Sequence, residues 1–136
     1  MVVHIAGAGA AGISVAQALL LTGRSLGSVA CRDMARARKR CDVLGGGIPS
    51  TLDTMQGDPN GAPCLLIVSV PDRHIADIAA ALSERPWPRE SVALHLSGSV
   101  DVEALAPLRT AGFAVGSLHP LKSFVGTPTA SASPLA

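Results

Sequence analysis

"HIAGAGAAGIS", residues His4–Ser14, places three glycines at the spacing G-x-G-x-x-G: Gly7, Gly9 and Gly12. A short β-type run, Val2–Ala6, precedes them. A stretch with helical apolar spacing follows, Ala10–Leu21, with Ile13, Ala16 and Leu20 on one face and Gly23 as a C-cap. In a strand–turn–helix unit each glycine has its own mechanical task. Gly7 permits the tight turn, Gly9 lets a bound group approach the backbone, and Gly12 lets the helix pack close on the strand. The helix start offers unpaired N–H groups and a partial positive charge, which suits a phosphate. Gly-Ala runs arise by chance in Ala-rich chains, but a strand before and a helix after are the context the motif requires. The stretch Gly7, Ala8, Gly9, Ala10, Ala11 and Gly12 is therefore expected to cradle a dinucleotide pyrophosphate.

The next strand, Leu26–Cys31, narrows the choice of dinucleotide. It ends in "VACRD", so the residues at its tip are Cys31 and Arg32. An NAD or FAD site usually has Asp or Glu there to bind the ribose 2′-OH, whereas an Arg pairs with a 2′-phosphate. Arg32, assisted by Arg36 or Lys39 one turn into the following helix Met34–Leu44, favours NADP over NAD, with FAD least suited. Asp33 keeps NAD open, because a shift of one position would put a carboxylate at the tip. Arg38 and Arg40 read as a solvated helix face.

Further along, Ile48–Leu52 reads as a short strand and Leu65–Val70 as a fully buried one, apolar almost throughout. Asp72 is expected to cap a helix whose stripe is Ile75, Ile78, Ala79 and Leu82. Val92–Leu96 is a strand, Ser97–Ser99 a turn, Asp101–Ala106 a short helix stopped near Pro107, and Phe113–Leu118 a last strand. Strands alternate with helices, which predicts an α/β fold with a doubly wound, mainly parallel sheet. In such a sheet ligands lie beyond the carboxyl ends of the strands. Ser69, Val70 and Pro71 are thereby placed near the cofactor, and Ser97 and Gly98 at the next strand end. His74 reads as an exposed first-turn residue and His95 as a packed one.

Composition excludes several classes. The 136 residues carry a net charge of +1, so there is no basic field for nucleic acid. Trp87, Phe113 and Phe124 leave no stacking platform for bases. Cys31, Cys41 and Cys64 are an odd, scattered set without C-x-x-C, as in reduced cytosolic proteins; no metal site is expected. No apolar run reaches membrane-spanning length, and no basic region precedes the first apolar run as in a signal peptide. Charged residues make up 15% of the chain against about a quarter in a typical soluble domain. Either a partner covers part of the surface, as in a homodimer or with a second domain, or the Ala-rich composition accounts for it.

The motifs "GAGAAG", "CRD", "VPDRHIADIAAAL", "HLSGSV" and "GSLHPLKSF" occur in this order with strand–helix spacing between them. The set resembles the N-terminal domain of a bacterial family of Rossmann-like oxidoreductases that carry a C-terminal helical domain of unknown function. That family is similar in turn to pyrroline-5-carboxylate reductases, deazaflavin-dependent NADP reductases and 3-hydroxyisobutyrate-type dehydrogenases. The resemblance covers about residues 2–125. It implies a Rossmann NAD(P)-binding domain over residues 1–126 that prefers NADP, with a tail or linker over 127–136. It also implies a helical domain that completes the active site and is absent from this sequence.

By position and resemblance, His119 is a candidate acid or base beside the nicotinamide. Lys122 is a candidate for binding a carboxylate or polarising a carbonyl. The Ser97 hydroxyl is a candidate for bonding the carboxamide or a substrate oxygen, or only for closing its turn. The expected activity is hydride transfer to or from a small carbonyl, imine or hydroxy acid. The alternatives are a module that holds or senses NADP without turnover, and a fragment of an FAD-binding flavoprotein.

Overall fold

The computed structural model describes residues 1–118. Six strands form one parallel sheet: β1 (Val2–Ala6), β2 (Ser25–Cys31), β3 (Ile48–Thr51), β4 (Cys64–Val68), β5 (Val92–His95) and β6 (Ala114–Ser117). Their spatial order is β3-β2-β1-β4-β5-β6, that of a doubly wound dinucleotide-binding sheet. The helices are α1 (Ala10–Leu20), α2 (Met34–Leu44), α3 (Ile75–Ser83) and α4 (Ala106–Thr110). The fold class expected from the sequence is thus the one observed.

The alternation of side chains along each strand splits the core in two. Leu65 and Ile67 of β4 join Val3, Ile5 and Val29 beneath α1 and α2, which contribute Val15, Ala16, Ala37 and Cys41. Leu66 and Val68 face the other way, with Ala93, against Ile75, Ala79 and Leu82 of α3 and Leu108 of α4. All five β4 residues are buried, as a central parallel strand requires. Burial pushes the thiols of Cys41 and Cys64 up, so both stay protonated; all three cysteines are free and buried. Among the described residues no helix is long and apolar enough to cross a membrane.

One local reading needs correction. Pro107 does not stop a helix. A 3₁₀ turn over Val102–Leu105 leads into α4, and Pro107 sits in the first turn of α4, where the missing N–H would have had no partner. The connection from β3 to β4, which crosses to the other side of β1, has no helix. The Arg85 guanidinium holds it instead, donating to the carbonyls of Leu52 (2.5 Å) and Met55 (3.0 Å), while the Gly57 N–H donates to Pro86 (3.0 Å).

His4 interrupts the β1–β2 register between Val3 and Ile5, and its Nδ1 accepts the Ser28 N–H at 3.0 Å. The ring also packs edge-on to Trp87. Burial lowers the pKa of His4, so the unfolded chain takes up this proton more readily than the folded one. His4 therefore stabilises the fold fully above its unfolded pKa of about 6.5, and that stability is lost as pH falls from there through the lowered folded value. The expected result is a loss of unfolding free energy on acidification below about pH 6.5 that is smaller in His4→Asn, which keeps the acceptor without titrating. Denaturant titrations of both proteins at several pH values measure it, and identical pH profiles would refute it.

Candidate functional site

The sheet's connections diverge between β1 and β4. The chain leaves β1 for α1 on one face and leaves β4 for α3 on the other. Beyond the carboxyl ends of these strands lies a cleft of about 370 Å³. Such a switch point is where ligands bind in open α/β sheets.

The floor of the cleft is the turn after β1, with Gly7, Ala8 and Gly9 lining it. Gly7 has φ +82°, and a Cβ there would lie 2.6 Å from Val70 Cγ1 and 2.9 Å from the Ser69 carbonyl oxygen. The Gly7 N–H donates to Ala30 and the Ser69 N–H to Ala6, both at 2.8 Å, so the turn is tied to β2 and to the end of β4 together. Gly12 is packed as its spacing demands, but against the residue after β4. Its Cβ would meet the Cβ and Oγ of Ser69 at 2.8 and 2.6 Å. Gly9 is open: the nearest atom to a Cβ there would be the Ser69 oxygen at 3.9 Å. It is the N-cap of α1 and has no side chain to satisfy the first-turn N–H groups, and no acidic residue stands in that turn. Ala10 and Ala11 open the helix beside it. A cradle without side chains at a positive helix end has the chemistry of a pyrophosphate site.

The β2 tip and α2 form one wall. Cys31, Arg32, Arg36 and Arg40 line it. Arg36 and Arg40 lie four residues apart on α2 and share one helical side, and Arg32 stands just before the helix at the β2 tip. Arg40 is exposed, as read from the sequence, and also lines the cleft. Lys39 does not line it, and Arg38 lines a separate depression at Gly45–Gly47. Asp33 does not line the cleft. It is the N-cap of α2 and accepts the Arg36 N–H at 2.8 Å, with its other oxygen 3.8 Å from Arg36 Nε. The acid that kept NAD open in the sequence thus also starts a helix.

Leu52, Ser69, Val70 and Pro71 continue the lining, and His74, Asp77 and Ile78 complete it from the α3 side. His74 ends a 3₁₀ turn over Asp72–His74, is half-buried, and places Nε2 3.3 Å from Arg32 Nη2. Guanidinium only donates, so Nε2 accepts. The expectation of an exposed His74 is therefore corrected. The signal was its place just after β4, on the edge that faces the β2 tip. Asp72 is not an N-cap. It lies inside the 3₁₀ turn, and its carboxylate accepts the Ser99 hydroxyl at 3.0 Å.

Ser97 and Gly98 follow the end of β5, outside the residues that line the cleft. Ser97 Oγ accepts the N–H groups of Ser99 (3.2 Å) and Val100 (3.1 Å) and so closes the turn. His95 is fully buried, with Nδ1 accepting the Ser97 N–H at 3.1 Å. Its Nε2 has no partner among the described residues. The candidate residues His119 and Lys122 lie outside the described residues.

A family model described as a Rossmann-like domain matches residues 1–120. The structure is similar to that of a provisionally assigned NADP oxidoreductase from Bacteroides fragilis: TM-score 0.69, 23% identity, 90% of this chain and 44% of that one. It is also similar to prephenate dehydrogenase from A. aeolicus, solved with hydroxyphenyl propionate and NAD+: TM-score 0.67, 22% identity, 93% and 43% covered. Biliverdin reductase from Synechocystis sp. PCC 6803, solved with biliverdin and NADP+, aligns with TM-score 0.59 and 18% identity over 87% and 37%. The chain spans less than half the length of each of these proteins. No curated protein matches it in sequence.

Proposed function

Because the chain belongs to the Rossmann-like domain family, we propose that it is the NADP-binding domain of an oxidoreductase acting on a small carbonyl, imine or hydroxy acid. One observation carries this reading: the side-chain-free helix start at Gly9 and the guanidinium of Arg32 line the same cleft at the sheet's switch point. Bound NADP would supply the hydride chemistry. The N–H groups at the start of α1 hold its pyrophosphate, and Arg32, with Arg36 and Arg40, holds the 2′-phosphate. Val70 and Ile78 give apolar surface to the adenine. Ser97 and Gly98 lie toward the nicotinamide, with His119 as acid or base and Lys122 as a carboxylate or carbonyl ligand.

In this reading residues 1–126 form the cytoplasmic dinucleotide unit. A helical domain, or a second copy of the chain, closes the pocket against water and positions the substrate. A flavin role has less support, because Arg32 stands where a ribose hydroxyl would need an acceptor.

Fluorescence titration of the purified chain with NADPH and NADH tests the proposal. NADPH is expected to bind at least about tenfold more tightly, the equivalent of one charge-assisted hydrogen bond. Silence with both nucleotides would overturn the reading. Binding without hydride transfer, even with a helical domain supplied, would make the chain a holding or sensing module.

A further inference from the structure

We propose that His74 is a positioning residue that sets nucleotide choice by holding the Arg32 guanidinium over the cleft. The inference rests on the NADP reading above. Arg32 is exposed at the end of β2, and a long side chain in that position samples many rotamers. Among the described residues it has no carboxylate partner. What holds it is His74 Nε2 at 3.3 Å, from a residue 42 positions later in the chain.

The acceptor is itself well anchored. The His74 N–H donates to the Pro71 carbonyl at 2.8 Å, closing the 3₁₀ turn, and the next residue, Ile75, is buried in the core. The contact thus runs from a fixed point on the α3 side to a long cationic side chain at the β2 tip, and both residues line the cleft. A guanidinium has five N–H donors, so one bond to His74 leaves the others free for a phosphate. A cation already held in place loses less freedom on binding than a free one. The gain applies to a nucleotide that carries a 2′-phosphate. NADH does not use it.

His74→Leu removes the acceptor at similar bulk, and His74→Gln returns an oxygen near the reach of Nε2. The expected result for His74→Leu is NADPH binding weakened roughly fivefold, with NADH unchanged and Gln restoring the wild-type ratio. In an Arg32→Ala background the same leucine change is expected to have no further effect, because His74 acts through Arg32. His74→Ala repeats the comparison should leucine disturb the fold, which circular dichroism reports.

Three results would overturn the inference while leaving the NADP reading intact. They are equal weakening of both nucleotides, tighter NADPH binding in His74→Leu (as for a strap that blocks the mouth), and an undiminished leucine effect without Arg32. Failure of the wild-type chain to prefer NADPH would overturn both, and that arm is read before any variant.

Discussion

Alanine at Gly9 is expected to leave the fold intact and lower dinucleotide affinity by about a hundredfold, while alanine at Gly7 strongly destabilises the fold. The two glycines lie two residues apart and differ in surroundings. Gly9 has φ −73°, an ordinary value for any residue, and a Cβ there meets nothing closer than 3.9 Å. The methyl group would fill the space over the α1 N–H groups that a pyrophosphate needs. At Gly7 the backbone is left-handed at φ +82°, which costs an alanine about 1–2 kcal/mol. Its Cβ would also overlap the Ser69 carbonyl oxygen at 2.9 Å. That carbonyl cannot easily retreat, because the Ser69 N–H is bonded to Ala6. Overpacking of this kind adds about 1–3 kcal/mol.

The sum at Gly7 is a large part of the roughly 5–15 kcal/mol that holds a domain together. It corresponds to a fall in melting temperature on the order of 10 °C. Gly12→Ala falls between the two. Its clash with Ser69 is offset in part by about 1 kcal/mol of helix propensity. Thermal denaturation and NADPH titration of the three variants separate the roles. A Gly9→Ala protein that binds NADPH as well as wild type would remove the phosphate cradle from the proposal.

The second large effect concerns Arg32. Arg32→Ala is expected to weaken NADPH by roughly ten- to a hundredfold, the range of a charged hydrogen bond to phosphate, and NADH by less than about threefold. Arg36→Ala should cost less, because Asp33 lies 3.8 Å from its Nε and offsets part of its charge. The NADPH preference should also shrink as salt is raised, since Arg32 is exposed and screened. Titrations at two ionic strengths check both points. Equal losses for the two nucleotides would leave Arg32 no part in choosing between them.

The succession of strands and helices along the chain and the glycine turn could be read from the sequence because each rests on local rules. Val2–Ala6 and Met34–Leu44 have the boundaries that period and capping residues suggested. What escaped was decided between elements. Arg40 reads as a surface residue along α2 alone and becomes a cleft residue only when the turn after β4 is set beside it. His74 looked solvated because its partner, Arg32, is 42 residues away in sequence. Asp72 reads as a helix cap because that is the usual duty of its residue type. The 3₁₀ turn began one residue early and gave its carboxylate to Ser99. Pro107 is ambiguous for a similar reason: proline ends one helix and begins another with the same chemistry.

The sheet order has a consequence for the chain as it is made. β1 lies between β2 and β4, and Val2 pairs with Ser25 on one side and Cys64 on the other. A ribosome that has released the chain only through β3 has supplied one neighbour for β1. Its other edge waits, unpaired, until the most apolar strand of the protein emerges. Unpaired edges beside apolar faces invite pairing with other chains. The arrangement that creates a binding cleft at the middle of the sheet thus makes the nascent protein most vulnerable to aggregation there.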